Sequence, residues 1–382
     1  MNLDKHTMPE TMASTSYICN EAASFWQAFK LYNEVVAGTW GVEMLQKYGY
    51  TNTMLLVFWG LGCLLAHGAT VREERSLMGS PFQVTVVHED EAFAQEAVNI
   101  AFLEMARLEA LISSWRASSQ TSQVNRSAGI AAVPVDPELF RLVKRALKVS
   151  KLTDGAFDIT FASAGNLWDF KTGVIPAEAD LKKAVAAIDF RNVVLNETQQ
   201  SIFLKETGTR IGFGAIGKGF AANRAITLLK KLGVAHALIN AGGDMVATGK
   251  QEDGKPWQIG IAHPRKKGKL LAHLSLTEQA VVTSGDYERF FTRDGKRYSH
   301  IIDPRTGYPV AGMASVTIIC PDGELADALA TSVFVLGQEP GLALVNRLKG
   351  VECILVNGQG EVFYSKNIQH QLAFVKDTKV GE

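Results

Sequence analysis

Two kinds of hydrophobic pattern follow one another along the chain in no regular order. Residues 82–87 alternate between apolar and polar positions, which predicts a strand, and an apolar stripe at helical spacing predicts a helix over residues 90–113. Asp136 followed by Pro137 is a typical helix start, so we expect a second helix that ends at Leu152.

The same patterns predict the remaining elements. Further helices are expected over residues 180–188, 220–232, 326–336 and 341–348. Further strands are expected over residues 193–195, 201–204, 237–240, 257–262, 271–276, 281–286, 316–320, 353–356 and 362–365, with a strand and a turn over 297–307. Helices and hairpins that mix without regular β-α-β alternation favour an α+β fold over a doubly wound sheet.

A glycine-rich stretch at residues 212–219 enters the helix predicted over 220–232. Free backbone N–H groups at such a helix start attract an anion, and Lys218 adds a full positive charge, so a phosphate ester is the expected ligand. The alternative is a turn that only packs the helix against a sheet. The dinucleotide fingerprint fails because no acid lies in residues 230–235, and the P-loop fails because Gly219 replaces the magnesium-binding hydroxyl.

Composition and net charge indicate which kind of protein this is. The chain has 382 residues, 47% apolar and 20% charged, which is ordinary for a globular protein with one large domain or two closely packed ones. The formal net charge is +0, and residues 69–382 carry 36 basic and 34 acidic side chains. Neither balance is typical of a nucleic-acid-binding surface.

An uninterrupted apolar run occupies residues 54–66. It is short for a membrane span and fits the hydrophobic region of a signal peptide, with small residues placed for cleavage before Ala69. Because a signal peptide should not begin about 50 residues into a chain, we expect translation to start at Met44 or Met54. Residues 1–68 are therefore interpreted as an extension plus a signal peptide, and the protein as periplasmic or exported, either free or held at the inner membrane by its N-terminus.

The four cysteines do not suggest zinc, since they form no C-x-x-C or Cys/His cluster. Cys320 and Cys353 lie in apolar strand-like runs, either as buried thiols or as one cross-strand disulfide. Cys63 resembles a lipoprotein cysteine, but Gly60 stands where a larger apolar residue is usual.

Eight short motifs occur in an order that is far more specific than any one of them. They are Met78-Gly79, Ser114-Trp115-Arg116, Gly155-Ala156-Phe157-Asp158, the stretch 212–219, Gly242-Gly243-Asp244, Thr283-Ser284-Gly285-Asp286, the stretch 300–307 and the stretch 326–331. Taken together, they resemble the ApbE family, the FAD:protein FMN transferases, over residues ~75–365.

The resemblance implies a fold and a reaction. The fold is α+β, with mixed, largely antiparallel sheets and packed helices in a single T-fold-like catalytic domain over residues 69–370, followed by a tail at 371–382. The implied enzyme is periplasmic and Mg²⁺-dependent, and it transfers the FMN half of FAD to a Thr or Ser hydroxyl with release of AMP. Its protein partner is an acceptor flavoprotein, such as a subunit of a membrane redox complex.

The metal site implied by the resemblance comprises Asp327 and Thr331 with the main-chain carbonyls of Ala215 and Ala330. Asp327 and Thr331 are four residues apart on a predicted helix and therefore share a face. A carboxylate and a hydroxyl suit Mg²⁺, which prefers oxygen ligands. Helix capping or surface solvation is the alternative explanation for this pair.

The implied FAD site uses residues from several motifs. They are Met78, Trp115, Ala156, Phe157, Asp158, Gly217, Lys218, Ser284, Gly285 and His300. Met78 and Trp115 match positions that pack on the flavin, with core packing as the alternative, and Asp158 could instead cap a local turn.

Lys218 and His300 are the expected catalytic residues. His300 acts either as the general base toward the acceptor hydroxyl or as a protonated ligand of phosphate, with a histidine that merely ends a strand as the alternative. If His300 has no such role, Asp286 or Asp303 is the next candidate base.

One residue departs from the family pattern. Many members carry Asp six residues before the motif lysine, whereas this chain has Gly212. Either another acid such as Asp244 substitutes for it, or the site uses backbone there. Two other functions remain open for such a site: hydrolysis of FAD to FMN and AMP, and flavin binding without catalysis.

Overall fold

The computed structural model describes residues 69–368 and 372–374. Its strands are β1 Ala69–Leu77, β2 Ser80–His88, β3 Val133–Pro134, β4 Val193–Asn196, β5 Ser201–Leu204, β6 His236–Ala241, β7 Asp244–Thr248, β8 Trp257–Ala262, β9 Leu270–Leu276, β10 Ala280–Gly285, β11 Phe290–Arg293, β12 Lys296–Ser299, β13 Met313–Cys320, β14 Glu352–Asn357, β15 Val362–Tyr364 and β16 Leu372–Phe374. Its α-helices are α1 Glu91–Ile112, α2 Gln120–Arg126, α3 Pro137–Leu152, α4 Ala162–Gly165, α5 Glu178–Val185, α6 Gly217–Lys231, α7 Gly323–Leu336 and α8 Gln338–Val345.

An eight-stranded sheet forms the centre of the molecule. Its strand order is β1-β2-β6-β7-β10-β13-β14-β15, and all of its strand pairs are antiparallel. Three smaller antiparallel sheets complete the fold, in the orders β16-β9-β8, β3-β5-β4 and β11-β12. The predicted α+β class with largely antiparallel sheets is therefore confirmed.

The central sheet is covered on both faces. Helices α1, α6 and α7 pack on one face, and the β8–β9 hairpin packs on the other. Strand β13 shows the result, because its alternate residues Val316 and Ile318 join the core under the helices while Ala314 and Ile319 join the core under the hairpin. A strand buried on both sides reads as a continuous apolar run, which is how the sequence of β13 reads.

Long elements lie where the hydrophobic pattern placed them. Helix α1 begins after Asp90, whose carboxylate accepts a hydrogen bond from the N–H of Phe93, and helix α3 begins after Asp136 with Pro137 in its first turn. The short helix α2 was not predicted, since its seven residues carry no apolar stripe. Strands β1 and β11 were also missed, because they are rich in exposed positions, and the short buried strand β7 was missed as well.

Several predictions concern the ends of the chain. The extension, the signal peptide over 54–66, the start sites Met44 and Met54, and Cys63 all lie outside the described residues. Strand β16 lies inside the segment 371–382 that was predicted as a tail, and it pairs with β9. None of the helices within residues 69–368 and 372–374 is long and apolar enough to cross a membrane.

The two described cysteines are buried free thiols. Cys320 lies opposite Ala280, and Cys353 lies opposite Ile318, so the two are offset along neighbouring strands. The structure therefore favours buried thiols over the cross-strand disulfide.

Candidate active site

A cavity opens at one end of the central sheet, where two tight turns meet. The β1–β2 turn contains Met78 and Gly79, both with positive φ (50° and 71°), and the β6–β7 turn contains Gly242 and Gly243. A Cβ at Gly242 would lie 2.8 Å from the Cβ of Ser80, so the glycine allows the two turns to touch. Met78 holds a left-handed conformation that non-glycine residues rarely adopt, and it lines the cavity.

The cavity has a volume of about 540 Å³, which is the size of a small-molecule site. It gathers side chains from segments that lie far apart in the sequence. Of the predicted residues, those that line it are Met78, Trp115, Ala156, Phe157, Asp158, Ala215, Gly217, Lys218, Ser284, His300, Asp327 and Thr331.

Two predicted residues do not line the cavity. Gly285 is buried, and a Cβ there would lie 2.4 Å from the ring of Tyr287, so this glycine makes room for the tyrosine rather than for a ligand. Ala330 is fully buried on helix α7 and packs in the core.

Helices α6 and α7 approach each other closely beside the cavity. A Cβ at Gly219 would lie 2.1 Å from the carbonyl oxygen of Gly323, so this contact requires glycine. The N–H of Gly219 donates to Oδ2 of Asp327 at 2.9 Å. The N-terminal N–H of α6 that we expected to meet a phosphate therefore holds a carboxylate of the chain itself, which satisfies the same backbone donor.

Lys218 lies among three carboxylates. Its Nζ is 2.6 Å from Oδ2 of Asp244, whose side chain is only 1% exposed. Burial alone would lower the pKa of Lys218, but the negative charges of Asp244, Asp327 and Glu288 raise it above its usual range. The lysine is therefore a permanent cation in this cavity.

The carboxylates outnumber the cations around Lys218. Burial, with the nearby charge of Asp244, raises the pKa of Asp327 to about 7 despite the opposing effects of Lys218 and the Gly219 N–H. Burial likewise raises the pKa of Glu288 to about 7, again against the effect of Lys218. The side chains that line the cavity include five acids (Glu109, Asp158, Asp244, Glu288 and Asp327) and three cations (Arg116, Lys218 and Arg289), so a further cation would stabilise the ionised acids.

Two hydroxyl groups lie close together in the same cavity. Oγ of Ser284, near the end of β10, is 3.3 Å from Oγ1 of Thr331, one helical turn after Asp327 on α7. With the Asp327 carboxylate they form a set of oxygen donors suited to a hard cation. In residues 69–368 and 372–374 no group of three His, Cys, Asp or Glu side chains is placed to hold a metal, and the predicted set contains only one such residue.

His300 lies at the cavity directly after strand β12. Its Nδ1 is 3.3 Å from the carbonyl oxygen of Arg289, a contact that favours a proton on Nδ1 and leaves Nε2 as a hydrogen-bond acceptor. Burial, together with the positive charges of Arg289 and Lys218, lowers the pKa of His300 to about 4 even though the Arg289 carbonyl favours its charged form. The imidazole is therefore neutral at ordinary pH.

Asp158 both caps a local turn and lines the cavity. Its Oδ1 accepts hydrogen bonds from the N–H and the hydroxyl of Thr160, and its Oδ2 accepts one from the N–H of Phe190. Although Asp158 lines the cavity, its oxygens already serve the loop. Trp115 is different, since its side chain is 83% exposed at the cavity wall and offers an open face for stacking.

Five charged residues that line the cavity were not among the predicted site residues. Arg116 and Asp244 were quoted within motifs, Asp244 also as a substitute acid, whereas Glu109, Glu288 and Arg289 were not considered. The position of Glu288 and Arg289, three and four residues after Gly285, was an available signal, because charged residues directly after a motif strand share its end of the sheet.

The two fallback bases lie away from the cavity wall. Asp286 accepts hydrogen bonds from Arg265 at 2.6 and 2.8 Å and from Arg297 at 3.2 Å. Asp303 accepts from Arg305 at 2.8 and 2.7 Å. Both carboxylates already hold arginines, so neither is placed to take a proton from a substrate in this cavity.

Gly212 also lies outside the cavity lining. A Cβ there would lie 3.0 Å from the Cβ of Ala162 and 3.8 Å from Oγ of Ser114, which does line the cavity. A longer acidic side chain at this position would face that wall. Asp244 approaches from another strand and pairs with Lys218, so the structure places a carboxylate near the lysine by a different route.

Comparisons with known proteins agree with this geometry. The ApbE family model matches residues 78–355. A Klebsiella pneumoniae (strain 342) protein named "FAD:protein FMN transferase" is 35% identical over 293 residues, which cover 76% of this chain and 90% of that protein.

Solved structures show the same fold. The ApbE protein of Thermotoga maritima superposes with a TM-score of 0.74 at 29% identity, covering 79% of this chain and 99% of that one. The Pseudomonas stutzeri flavinyl transferase ApbE, in its apo form, superposes with a TM-score of 0.71 at 31% identity, covering 80% of this chain and 97% of that one. The family match spans every segment that lines the cavity between Met78 and Thr331, and the chain belongs to the ApbE family.

Proposed function

We propose that this protein transfers the FMN half of FAD to a Thr or Ser hydroxyl of an acceptor protein and releases AMP. The acceptor oxygen forms a bond to the FMN phosphorus, the bond from that phosphorus to the bridging oxygen breaks, and the hydroxyl proton passes to a base. The observation that carries the proposal is the cavity, in which Lys218 and a neutral His300 meet an excess of carboxylates. The names of the relatives supply FAD as the substrate.

Mg²⁺ fits the residues of the cavity. Asp327, Thr331 and Ser284 offer only oxygen donors, and burial, with the nearby charge of Asp244, raises the pKa values of Asp327 and Glu288, so a bound cation would favour their ionised forms. The carbonyl of Ala215 is a further candidate because that residue lines the cavity, whereas Ala330 would contribute through its main chain alone. A bound Mg²⁺ would neutralise negative charge as the pyrophosphate is split.

Individual side chains of the cavity would bind phosphate, accept a proton and stack on the flavin. Lys218 is a permanent cation and would bind a phosphate oxygen, while Asp244 fixes its position through their 2.6 Å contact. His300, neutral with Nε2 as an acceptor, would take the proton of the acceptor hydroxyl. Trp115 would stack on the flavin ring through its exposed face.

An incubation of the purified protein with FAD, Mg²⁺ and an acceptor flavoprotein tests the proposal. We expect fluorescent flavin that stays with the acceptor after denaturation, together with one AMP per flavin attached. Free FMN with AMP would indicate a hydrolase instead, and unchanged FAD would indicate flavin binding alone. Repeating the assay with EDTA and then with excess Mg²⁺ tests the metal separately.

We further propose that the protein is exported and acts on a subunit of a membrane redox complex. The support is the apolar run at 54–66 and the small residues before Ala69. Fractionation of cells that produce the full chain, with N-terminal sequencing of the mature protein, tests the cleavage site. A mature protein that begins at Met1 in the cytoplasm would refute export.

A further inference from the structure

Positive charge is concentrated at the cavity end of the molecule. The whole chain has a formal net charge of +0, yet residues 263–300 contain eight Lys and Arg and only four Asp and Glu. Apart from Arg265, which pairs with Asp286, five of these cations lie in the β8–β9 loop and at the tip of the β11–β12 hairpin. We call them the basic rim: Lys266, Lys267, Lys269, Arg293 and Lys296.

The basic rim is exposed and largely unpaired. All five side chains belong to exposed residues, and none forms an ion pair with any residue in the described part of the chain. Lys296 lies over the ring of Tyr298, 5.2 Å from its centroid, and Asp294 is the single acid between the two hairpin cations. Ordinary surface lysines are scattered among acids, whereas this group keeps a net positive field.

Asp286 ties the basic rim to the cavity. It accepts hydrogen bonds from Arg265 in the β8–β9 loop and from Arg297 in β12, so both parts of the rim are held at the end of β10. Ser284, two residues earlier, and Glu288, two residues later, line the cavity. The rim therefore lies beside the opening that a protein substrate has to approach.

The rim is also held in a fixed shape. The N–H of His263 donates to the carbonyl of Lys269 at 2.9 Å, and the N–H of Lys269 donates to the carbonyl of Lys266 at 3.0 Å, which closes the loop. The hairpin is paired in regular register from Phe290 with Ser299 to Arg293 with Lys296. A patch that is already ordered loses little entropy when it binds.

We propose that the basic rim binds an acidic segment of the acceptor protein, next to the hydroxyl that receives FMN. The inference rests on the proposed flavin transfer. The cavity is lined by five acids and three cations and would hold a pyrophosphate, so an acidic acceptor would be repelled there unless cations at the opening attract and orient it.

A lipid surface fits the rim less well. Ala69 pairs with His88 at the end of β1 that lies opposite the cavity, and β1 runs nine residues from there to Leu77. Whatever precedes residue 69 therefore joins the molecule about 30 Å from the opening, since a strand rises about 3.3 Å per residue. An anchor there leaves the rim free to meet a protein.

The test uses two fluorescein-labelled synthetic peptides of one length, each with a single central threonine. One carries six aspartates around the threonine, and the other carries asparagine at the same positions. Fluorescence anisotropy measures their affinity for the wild type, for Lys266→Glu/Lys267→Glu/Lys269→Glu, and for a control. The control is Arg347→Glu/Lys349→Glu/Lys366→Glu, which changes the net charge equally with three exposed cations near the far end of β14.

We expect the wild type to bind the acidic peptide about tenfold more tightly than the neutral one at low salt, with the difference shrinking toward 0.5 M salt. The rim variant should lose that preference, and the control should keep it within about twofold. Equal affinity of the wild type for both peptides, or an equal loss in the control, would overturn the proposal. Circular dichroism and FAD titration confirm that both variants are folded.

Vesicles of phosphatidylglycerol and of phosphatidylcholine separate a membrane from a protein partner. Capture of the wild type by phosphatidylglycerol vesicles through the rim, without preference for the acidic peptide, would overturn the proposal in favour of lipid. A wild type that neither transfers flavin nor cleaves FAD would overturn the proposed function and this inference with it. Normal transfer with equal peptide affinities would overturn the rim alone.

Discussion

Two groups of buried charges lie at the same end of the sheet, and they are balanced in opposite ways. Around Lys218, one cation faces Asp244, Asp327 and Glu288, and the pKa values of the last two rise to about 7. Around Asp286, one carboxylate faces Arg265 and Arg297, both within hydrogen-bonding distance.

This difference in charge balance distinguishes acids that could bind a ligand from acids that support the fold. An acid whose charge is already matched, such as Asp286, positions the segments that hold its partners. Acids in excess, such as Asp327 and Glu288, gain stability when a cation arrives, so that they mark where a ligand belongs. Substitutions in each group therefore test this distinction between the two sets of charges.

The largest effect is expected for Asp327→Asn. The amide keeps an oxygen for the N–H of Gly219, so the fold should survive, but it removes the charge that would hold Mg²⁺. We expect turnover to fall by more than about 100-fold at low Mg²⁺, with an unchanged or raised melting temperature. Asp327→Ala is a poorer variant, since it leaves the buried N–H without a partner. Turnover like that of the wild type at limiting Mg²⁺ would remove Asp327 from the metal site.

His300→Asn should lower turnover by about 100-fold at saturating FAD while leaving FAD affinity nearly intact, as expected when proton transfer is lost. The pH profile sharpens this prediction. Since the pKa of His300 is lowered to about 4, the base stays neutral above that pH, and the acidic limb of kcat/KM should lie near pH 4 when Mg²⁺ is saturating and keeps Asp327 ionised. The unperturbed value of about 6.5 would have placed the limb about 2.5 units higher. A limb near 6.5 that persists in the variant would assign it to another group.

Lys218→Met comes next. Removing the ammonium should weaken FAD binding by about 10-fold to 100-fold, the value of a charge-assisted hydrogen bond. The single change also leaves the buried carboxylate of Asp244 without its partner, so we expect it to lower stability as well as FAD affinity. Pairing it with Asp244→Asn removes the stranded charge. FAD titration of the folded double variant then isolates the binding effect, and an unchanged Kd would refute the role of Lys218.

The smallest effect is expected for Asp286→Asn. Because the partner arginines are about a third exposed, breaking these ion pairs should cost only about 1 kcal/mol in the free energy of unfolding. Turnover should stay within about threefold of the wild type, since Asp286 positions segments and does not act as the base. Thermal unfolding and turnover are measured on the same sample. A loss of turnover as large as that of His300→Asn would restore Asp286 as a candidate base.

Much of this site could be predicted from the order of the motifs along the chain. The motif sequence brought Lys218, His300, Asp327 and Thr331 to one cavity, and the hydrophobic pattern fixed the long helices that carry them. The sequence did not predict contacts between individual side chains, such as the partner of Lys218 or the acids that surround it. Such contacts join residues such as Lys218 and Asp244 across strands and helices, and spacing along one element does not report them.

Hydrogen bonds within the fold add to the expected roles. Asp158, which was expected to contact FAD, lines the cavity and also accepts hydrogen bonds from the N–H groups of Thr160 and Phe190. The glycine-rich helix start was expected to hold phosphate, and one of its N–H groups, that of Gly219, donates to the Asp327 carboxylate. Gly285 served the ring of Tyr287. In each case a residue expected at the ligand also contacts a neighbour in the fold, and the sequence pattern does not reveal that contact.

The contact between Gly219 and Gly323 sets the positional tolerance of the whole site. Lys218 and Asp327 sit on different helices, and the distance between them is fixed by two backbones in direct contact rather than by adjustable side chains. One methyl group at residue 219 would push the helices apart, and a displacement of about 1 Å between reacting groups can cost about 100-fold in rate. A gene library randomised at this codon should therefore yield folded proteins that are inactive more often than proteins that are unfolded. The absence of a Cβ atom at Gly219 therefore sets how accurately Lys218 and Asp327 are placed relative to each other.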